Sequence, residues 1–132
     1  MYDRKLDTSA IPWLPLDFPG VAMKTLRQDD HSGGMTVMTR MQPGAVIPAH
    51  SHTRADETVY VLEGDFVEDG VSYGPGSFFA GKAGSPHGPH RSVGGCVLLT
   101  TFSAPLDFVP VGQANQKSLQ VHFLLGYNAS PG

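Results

Sequence analysis

Glycine and proline interrupt this chain so often that no long helix can be threaded through it: 16 glycines and 11 prolines are spread over 132 residues. Glycine raises the entropic cost of a helix interior, and proline removes a backbone donor. The breaks fall at Gln42-Pro43-Gly44, Glu63-Gly64-Asp65, Asp69-Gly70, Gly74-Pro75-Gly76 and Val93-Gly94-Gly95, each supplying a positive φ or the fixed φ of proline. Between them, segments 21–27, 35–41, 46–51, 57–62, 66–68, 71–73, 77–80, 96–103 and 119–125 read as short strands. No helical period alternates with these strands, which excludes a parallel α/β sheet. The expectation is an all-β fold, a jelly-roll barrel of two antiparallel sheets. Residues 1–20 read as an irregular N-terminal arm whose Trp13, Leu14, Leu16 and Phe18 can pack on the body or on a second subunit, and 21–132 read as one domain. Residues 104–118 read as a loop, and 119–125 as a last strand that closes the barrel or pairs with a neighbour.

Composition removes several classes of function. Apolar residues at 40% and charged residues at 16% exclude a disordered chain, and the longest apolar stretch, near Cys96–Leu99, is far too short to span a bilayer. Asp3, Arg4, Lys5 and Asp7, followed by Pro12, Pro15 and Pro19, leave no apolar segment of a secretion signal, so a cytoplasmic location is expected. A formal charge of -3, with the basic residues scattered, offers no stripe for a phosphate backbone, and nucleic acid is not an expected partner. Cys96 is the single cysteine, so neither an internal disulfide nor a thiolate zinc cluster can form. Any bound metal must use imidazole and carboxylate.

The triplet His50-Ser51-His52 supplies two imidazoles, and residues two apart on a strand share a face. Glu57 follows five positions later, an offset that would put it on the opposite face of one unbroken strand, so the chain must turn through Thr53, Arg54, Ala55 and Asp56. Glu57, Val59 and Val61 then share a face of the next strand, and Glu57 can swing in beside the imidazoles. His87 sits between Gly84-Ser85-Pro86 and Gly88-Pro89, in a sharp loop that can deliver a third nitrogen. Three imidazoles and one carboxylate suit Fe(II), Mn(II), Ni(II), Zn(II) or Cu(II). A six-coordinate ion held by four such ligands keeps two positions open, as catalysis requires. Glu57 has two other readings, a surface carboxylate paired with Arg54 and a hydrogen-bonding partner that sets an imidazole tautomer.

The spacing Gly44-x5-His50-x-His52-x4-Glu57-x6-Gly64, with its Tyr60-Val61-Leu62-Glu63-Gly64 ending, resembles the first motif of the cupin superfamily at every position. Gly76, Gly84 and His87 fall at the spacing of the second cupin motif, while Lys82 and Arg91 stand where that motif carries proline and asparagine. The resemblance covers roughly residues 21–103. It implies an RmlC-like cupin barrel with His50, His52 and His87 as metal ligands and Glu57 as a fourth ligand and catalytic group. The segment Gly95-Cys96-Val97-Leu98-Leu99 is similar to small cupins near acetylacetone-cleaving dioxygenases and anti-sigma-factor cupin domains. Acetylacetone-type enzymes are known for using three histidines alone.

The function implied is a metal-dependent oxidoreductase of dioxygenase type, using one Fe(II) to chelate a small diketone or hydroxyketone beside dioxygen. Two alternatives use the same fold: a non-redox isomerase, lyase or cyclase with the ion as Lewis acid, and a sensor module that binds a metal or small ligand without catalysis. The arm and the exposed strand edges suggest a homodimer. Among other residues, His90 lies three positions past His87 and should face away, to the surface or a subunit contact; His31 lies in a polar turn and His122 in the last strand. Arg40 either lines the cavity or faces solvent. Phe66, Phe78, Phe79 and Phe102 are expected mainly in the core, and Cys96 as a buried apolar filler.

Overall fold

In the computed structural model, which describes residues 1–111, nearly all regular structure is strand. In chain order the strands are β1 (Leu14–Pro15), β2 (Val21–Gln28), β3 (Met35–Met41), β4 (Val46–Ile47), β5 (His50–Ser51) and β6 (Glu57–Gly64). They continue with β7 (Phe66–Glu68), β8 (Val71–Tyr73), β9 (Phe78–Gly81), β10 (His90–Arg91), β11 (Cys96–Phe102) and β12 (Val109–Pro110). Every pairing is antiparallel. One sheet runs β1-β2-β3-β11-β6-β9, a second runs β4-β10-β7-β8, and β12 pairs with β5 alone. This is the expected jelly-roll barrel, with a small third pair at the mouth of the site.

Alternation along the central strands makes the inside. In β3 and in β11 every second residue is buried, starting from Met35 and from Cys96, as period-two geometry demands. Val37, Val61, Met41 and Leu98 fill the interior, each 3% exposed or less, and each such side chain contributes about 1.5–3 kcal/mol relative to leaving it in water. Cys96 is buried among them, as expected. Phe66 and Phe102 also face inward, whereas Phe78 is 62% exposed because β9 turns Phe78 out and Phe79 toward the core. Gly64, which ends the first motif, has φ +79°, and a Cβ there would come within 2.0 Å of the Gly95 carbonyl oxygen. That close crossing of β6 and the turn before β11 is a place only glycine can occupy.

Several boundaries differ from expectation. The segment 46–51 is broken at Pro48-Ala49 into β4 and β5, which join different sheets. Loop 104–118 contains β12, whose Val109 and Pro110 pair with Ser51 and His50. The arm is not irregular throughout: Thr8–Ala10 form a 3-10 turn capped by Asp7, and β1 pairs with β2. Two cations lie over the Trp13 ring, Lys24 Nζ 4.6 Å and Arg40 Cζ 4.7 Å from its centre. Arg40 therefore points to the arm, not to the cavity. The expected strand 119–125 and His122 lie outside the described residues. No helix among the described residues is long and apolar enough to cross a membrane.

Candidate metal centre

The four residues singled out by spacing converge. One ligand atom from each of His50, His52, Glu57 and His87 lies within 4.8 Å of every other. His50 comes from β5, where its backbone forms an isolated antiparallel bridge with His87: His50 N–H donates to His87 O at 2.9 Å and His87 N–H to His50 O at 2.8 Å. That bridge brings two residues 37 apart in sequence side by side, so their Nε2 atoms stand 3.0 Å apart. His52 follows immediately, and the chain turns through 53–56, as the offset of Glu57 requires, before β6 begins. Glu57 Oε1 then reaches His87 Nε2 at 3.0 Å and His52 Nε2 at 3.6 Å. Its inward turn removes the reading of a surface carboxylate.

Two of the rings have fixed tautomers. His50 Nδ1 donates to the Pro48 carbonyl at 2.7 Å and His52 Nδ1 to the Asp107 carbonyl at 2.6 Å. A carbonyl oxygen only accepts, so each Nδ1 carries a proton, and in the neutral ring each Nε2 keeps its lone pair. His52 Nε2 faces Glu57, and His50 Nε2 faces His87 Nε2. His52 Nε2 is buried and has no hydrogen-bond partner. A buried nitrogen left unpaired costs about 1–3 kcal/mol, and a divalent cation in the same space would take that lone pair together with the others. The residues fit a metal.

Electrostatics point the same way. Burial, with His87, His52 and His90 close by, pushes His50 down to about 3 despite the Pro48 carbonyl. Burial would raise Glu57, but the His52 and His87 imidazoles outweigh it and hold the carboxyl at about 2. His52 is raised: burial opposes its protonation, and the Glu57 carboxylate and Asp107 overcome that opposition. Near neutral pH, then, His50 is a neutral imidazole and Glu57 a carboxylate, the forms that bind a cation without first losing a proton.

Three neighbours carry no signal of their role in the sequence. Phe108 stacks on the His50 ring with centroids 4.1 Å apart. The Asp107 side chain accepts from Thr53 N at 2.8 Å and from the Thr53 hydroxyl, so one residue holds both His52 and the next backbone amide. Glu68 accepts from Gly88 N at 3.1 Å and pairs with His90 Nδ1, which fastens the chain just after His87. This overturns the expectation for His90. It is 9% exposed, packed between Phe66 and His87, and not at the surface, because the chain bends at Gly88-Pro89 before β10 and strand alternation does not carry through.

Beside the cluster lies a cavity of about 70 Å³, walled mainly by Phe18, Met23, Val59, Leu98, Phe102 and Phe108. Thr39 and Thr100 line it as well, together with His50, His52 and Glu57. A second cavity of about 140 Å³ shares Glu57 and His90 and is lined by Glu68, Phe79 and His87. Metal-type ligands facing an apolar space are the arrangement of a small-molecule site.

Comparison with known proteins agrees on the fold. No curated protein matches the chain. Among solved structures, a candidate acetylacetone dioxygenase from Methylibium petroleiphilum PM1 superposes with TM-score 0.77 at 14% identity, covering 98% of this chain and 96% of that one. An acetylacetone dioxygenase from Acinetobacter johnsonii gives 0.69 at 15% identity, covering 92% and 84%. The anti-sigma factor ChrR of Rhodobacter sphaeroides, solved in complex with SigE, gives 0.59 at 22% identity, covering 72% of this chain and 50% of that one. At these identities the likeness is one of fold. The model of the ChrR cupin-like domain matches residues 2–106, which include the arm, all four converging residues and every strand of the six-stranded sheet, and the chain belongs to that cupin family.

Proposed function

We propose that this protein binds one divalent metal ion through His50, His52, His87 and Glu57, with Fe(II) as the native ion, and oxidises a small ketone that chelates it. The observation that carries the reading is the convergence of three imidazoles and a carboxylate on one point, with the His52 nitrogen unpaired there. The ion would supply Lewis acidity and a site where substrate and dioxygen meet. The chain's own contribution is holding. Pro48 and Asp107 fix two imidazole tautomers, Glu57 offsets positive charge, and Phe18, Phe102 and Phe108 keep water from the apolar side. A diketone or hydroxyketone fits because its oxygens favour the ion and its carbon body favours these walls.

The test has two stages. Metal analysis of protein purified without added ions should show close to one equivalent, lost when His50, His52 or His87 is changed to alanine. Oxygen consumption should then follow mixing of Fe(II)-loaded protein with a panel of diketones and hydroxyketones. Turnover with Zn(II) in the absence of oxygen would move the assignment to a non-redox lyase or isomerase.

A second reading has its own support in the family match. A cupin domain of this family suits a sensor that binds a metal or small ligand and passes the event to a protein partner, as the anti-sigma factor ChrR was solved in complex with SigE. Metal binding without oxygen uptake, joined to capture of a protein partner only by the metal-loaded form, would favour it. Homodimerisation belongs to the enzyme reading: Tyr60 and Phe78, 42% and 62% exposed, are paired across β6 and the edge strand β9 and offer an outer surface for a second copy. Sedimentation would decide it. A cytoplasmic location is part of the same proposal.

A further inference from the structure

Apart from His90, whose Nδ1 is paired with Glu68, the cavity wall contains one polar feature that the metal reading does not use. Thr39 on β3 and Thr100 on β11 are 5% and 3% exposed, and both line the apolar cavity. Their hydroxyl oxygens face each other at 3.5 Å. That is well beyond the ordinary O–H···O separation of about 2.7–2.8 Å. Two hydroxyls bring two donors, and one shared hydrogen bond uses only one of them, so a second O–H is left inside an apolar space. A buried donor in that position normally has a partner.

The position of the pair bears on what that partner is. Phe102 pairs with Glu57 and Thr100 with Val59, so Thr100 stands two residues deeper along β11 than the Glu57 level, about 7 Å at the usual strand rise. Thr39 pairs with Leu98, deeper still, toward the core made by Val61, Leu98 and Met41. Between the hydroxyl pair and the carboxylate the lining is apolar, as with Val59 and Phe102. The cavity, about 70 Å³, holds about five to seven non-hydrogen atoms on the measure by which one water needs about 10–15 Å³.

We propose that Thr39 and Thr100 are specificity-determining residues that bind the far end of the ligand. The site then takes a small molecule with three parts: a chelating head, a short apolar middle, and one hydroxyl or carbonyl oxygen at the end remote from the head. This rests on the metal reading above, since the head is placed by the His/Glu cluster. A simple alkyl-ended chelator leaves the second hydroxyl donor unpaired, and the matched ligand does not.

The experiment compares two probes on protein loaded with Co(II), after its metal content has been measured: propanehydroxamate and its terminally hydroxylated analogue. Dissociation constants are read by titration calorimetry. The native protein should prefer the hydroxylated probe by about five- to tenfold, the worth of one added hydrogen bond. Each single valine variant leaves one hydroxyl donor in the cavity, so it is the double variant Thr39→Val with Thr100→Val that should bring the preference close to unity, and Thr100→Ser, which keeps the hydroxyl, should retain most of it. Equal binding of the two probes by metal-loaded native protein overturns the proposal, and so does a preference that survives in the double valine variant. Protein that takes up no Co(II) overturns the metal reading and this inference with it, and the metal assay separates that failure from a failure of the threonine pair alone.

Discussion

His52 and Asp107 are 55 residues apart in the chain, yet the imidazole Nδ1–H of one donates to the backbone carbonyl of the other at 2.6 Å. The side chain of Asp107 then holds Thr53, the next residue on the same strand end, through its amide and its hydroxyl. One residue thus fixes both the tautomer of a ring and the path of the backbone that carries it. Changing Asp107 to alanine keeps the carbonyl and removes the grip on Thr53. Metal affinity should fall by about 10-fold, within the range typical for groups that orient a ligand, while circular dichroism stays native. Competition against a chromophoric chelator measures it, and unaltered affinity would show that Asp107 orients nothing.

Glu68 does for His87 what Asp107 does for His52. Its carboxylate accepts from Gly88 N and from His90, so it ties the residue after His87 and the start of β10 to β7. The Glu68 carboxyl is held below its usual range: burial opposes ionisation, and the His90 ring beside it prevails. Glu68→Ala should lower metal affinity by about 10–100-fold without emptying the site, and His87→Ala should do far more. Glu68→Gln keeps an acceptor for Gly88 and should fall between wild type and Glu68→Ala. An alanine variant as good as wild type would mean the loop is rigid by itself.

The two kinds of residue differ in how far they can be read from sequence. His50 and His52 announce a site because strand geometry turns a two-residue spacing into a shared face, and Glu57 joins them because its odd offset demands a turn that polar residues can make. His87 becomes legible through the Gly-Pro context around it and the family spacing. Asp107, Phe108 and Glu68 give no such signal, because each acts across a long loop closure and its role depends on where the chain returns. β12 is two residues long and contains a proline, too short for any period to show. His90 is misread for the same reason: counting alternation from His87 assumes one strand, and the chain bends at Gly88-Pro89. The alternating faces of β3 and β11, by contrast, follow directly from residue pattern.

The arm is anchored by chemistry that can be tested apart from the site. Trp13, the only tryptophan, stacks against Lys24 and Arg40, and Lys24, 7% exposed, also donates to the Thr8 carbonyl at 2.8 Å. Trp13→Ala removes two cation–π contacts worth about 0.5–1 kcal/mol each and uncovers the Lys24 ammonium. Stability should fall by about 1–3 kcal/mol, read from the urea midpoint at constant slope. In the native protein the single indole emission should shift red before the main unfolding transition if the arm leaves first. A variant with an unchanged midpoint would mean the arm contributes no net stability.

Acid should weaken the metal-free protein well above the pH at which exposed carboxylates titrate. His50 has a folded value of about 3 against an ordinary 6.5, so between those values the unfolded chain binds a proton that the folded chain refuses. Stability therefore rises with pH across that window and is lost as pH falls through it. From pH 6.5 down to about 5 this single group removes about 2 kcal/mol. Glu57, with a folded value of about 2 against 4.5, adds a second loss in the same direction at lower pH. His52 has the opposite sign: its value is raised, so its contribution is full below its unfolded value and fades as pH climbs through the folded one. That flattens the profile near neutrality without reversing the acid limb. Thermal melts of chelator-treated protein should show a falling midpoint from about pH 6.5 to 5, and His50→Gln, which cannot titrate, should flatten that limb. A midpoint constant over the range, or an equal slope in the glutamine variant, would show that His50 is not held neutral by the fold.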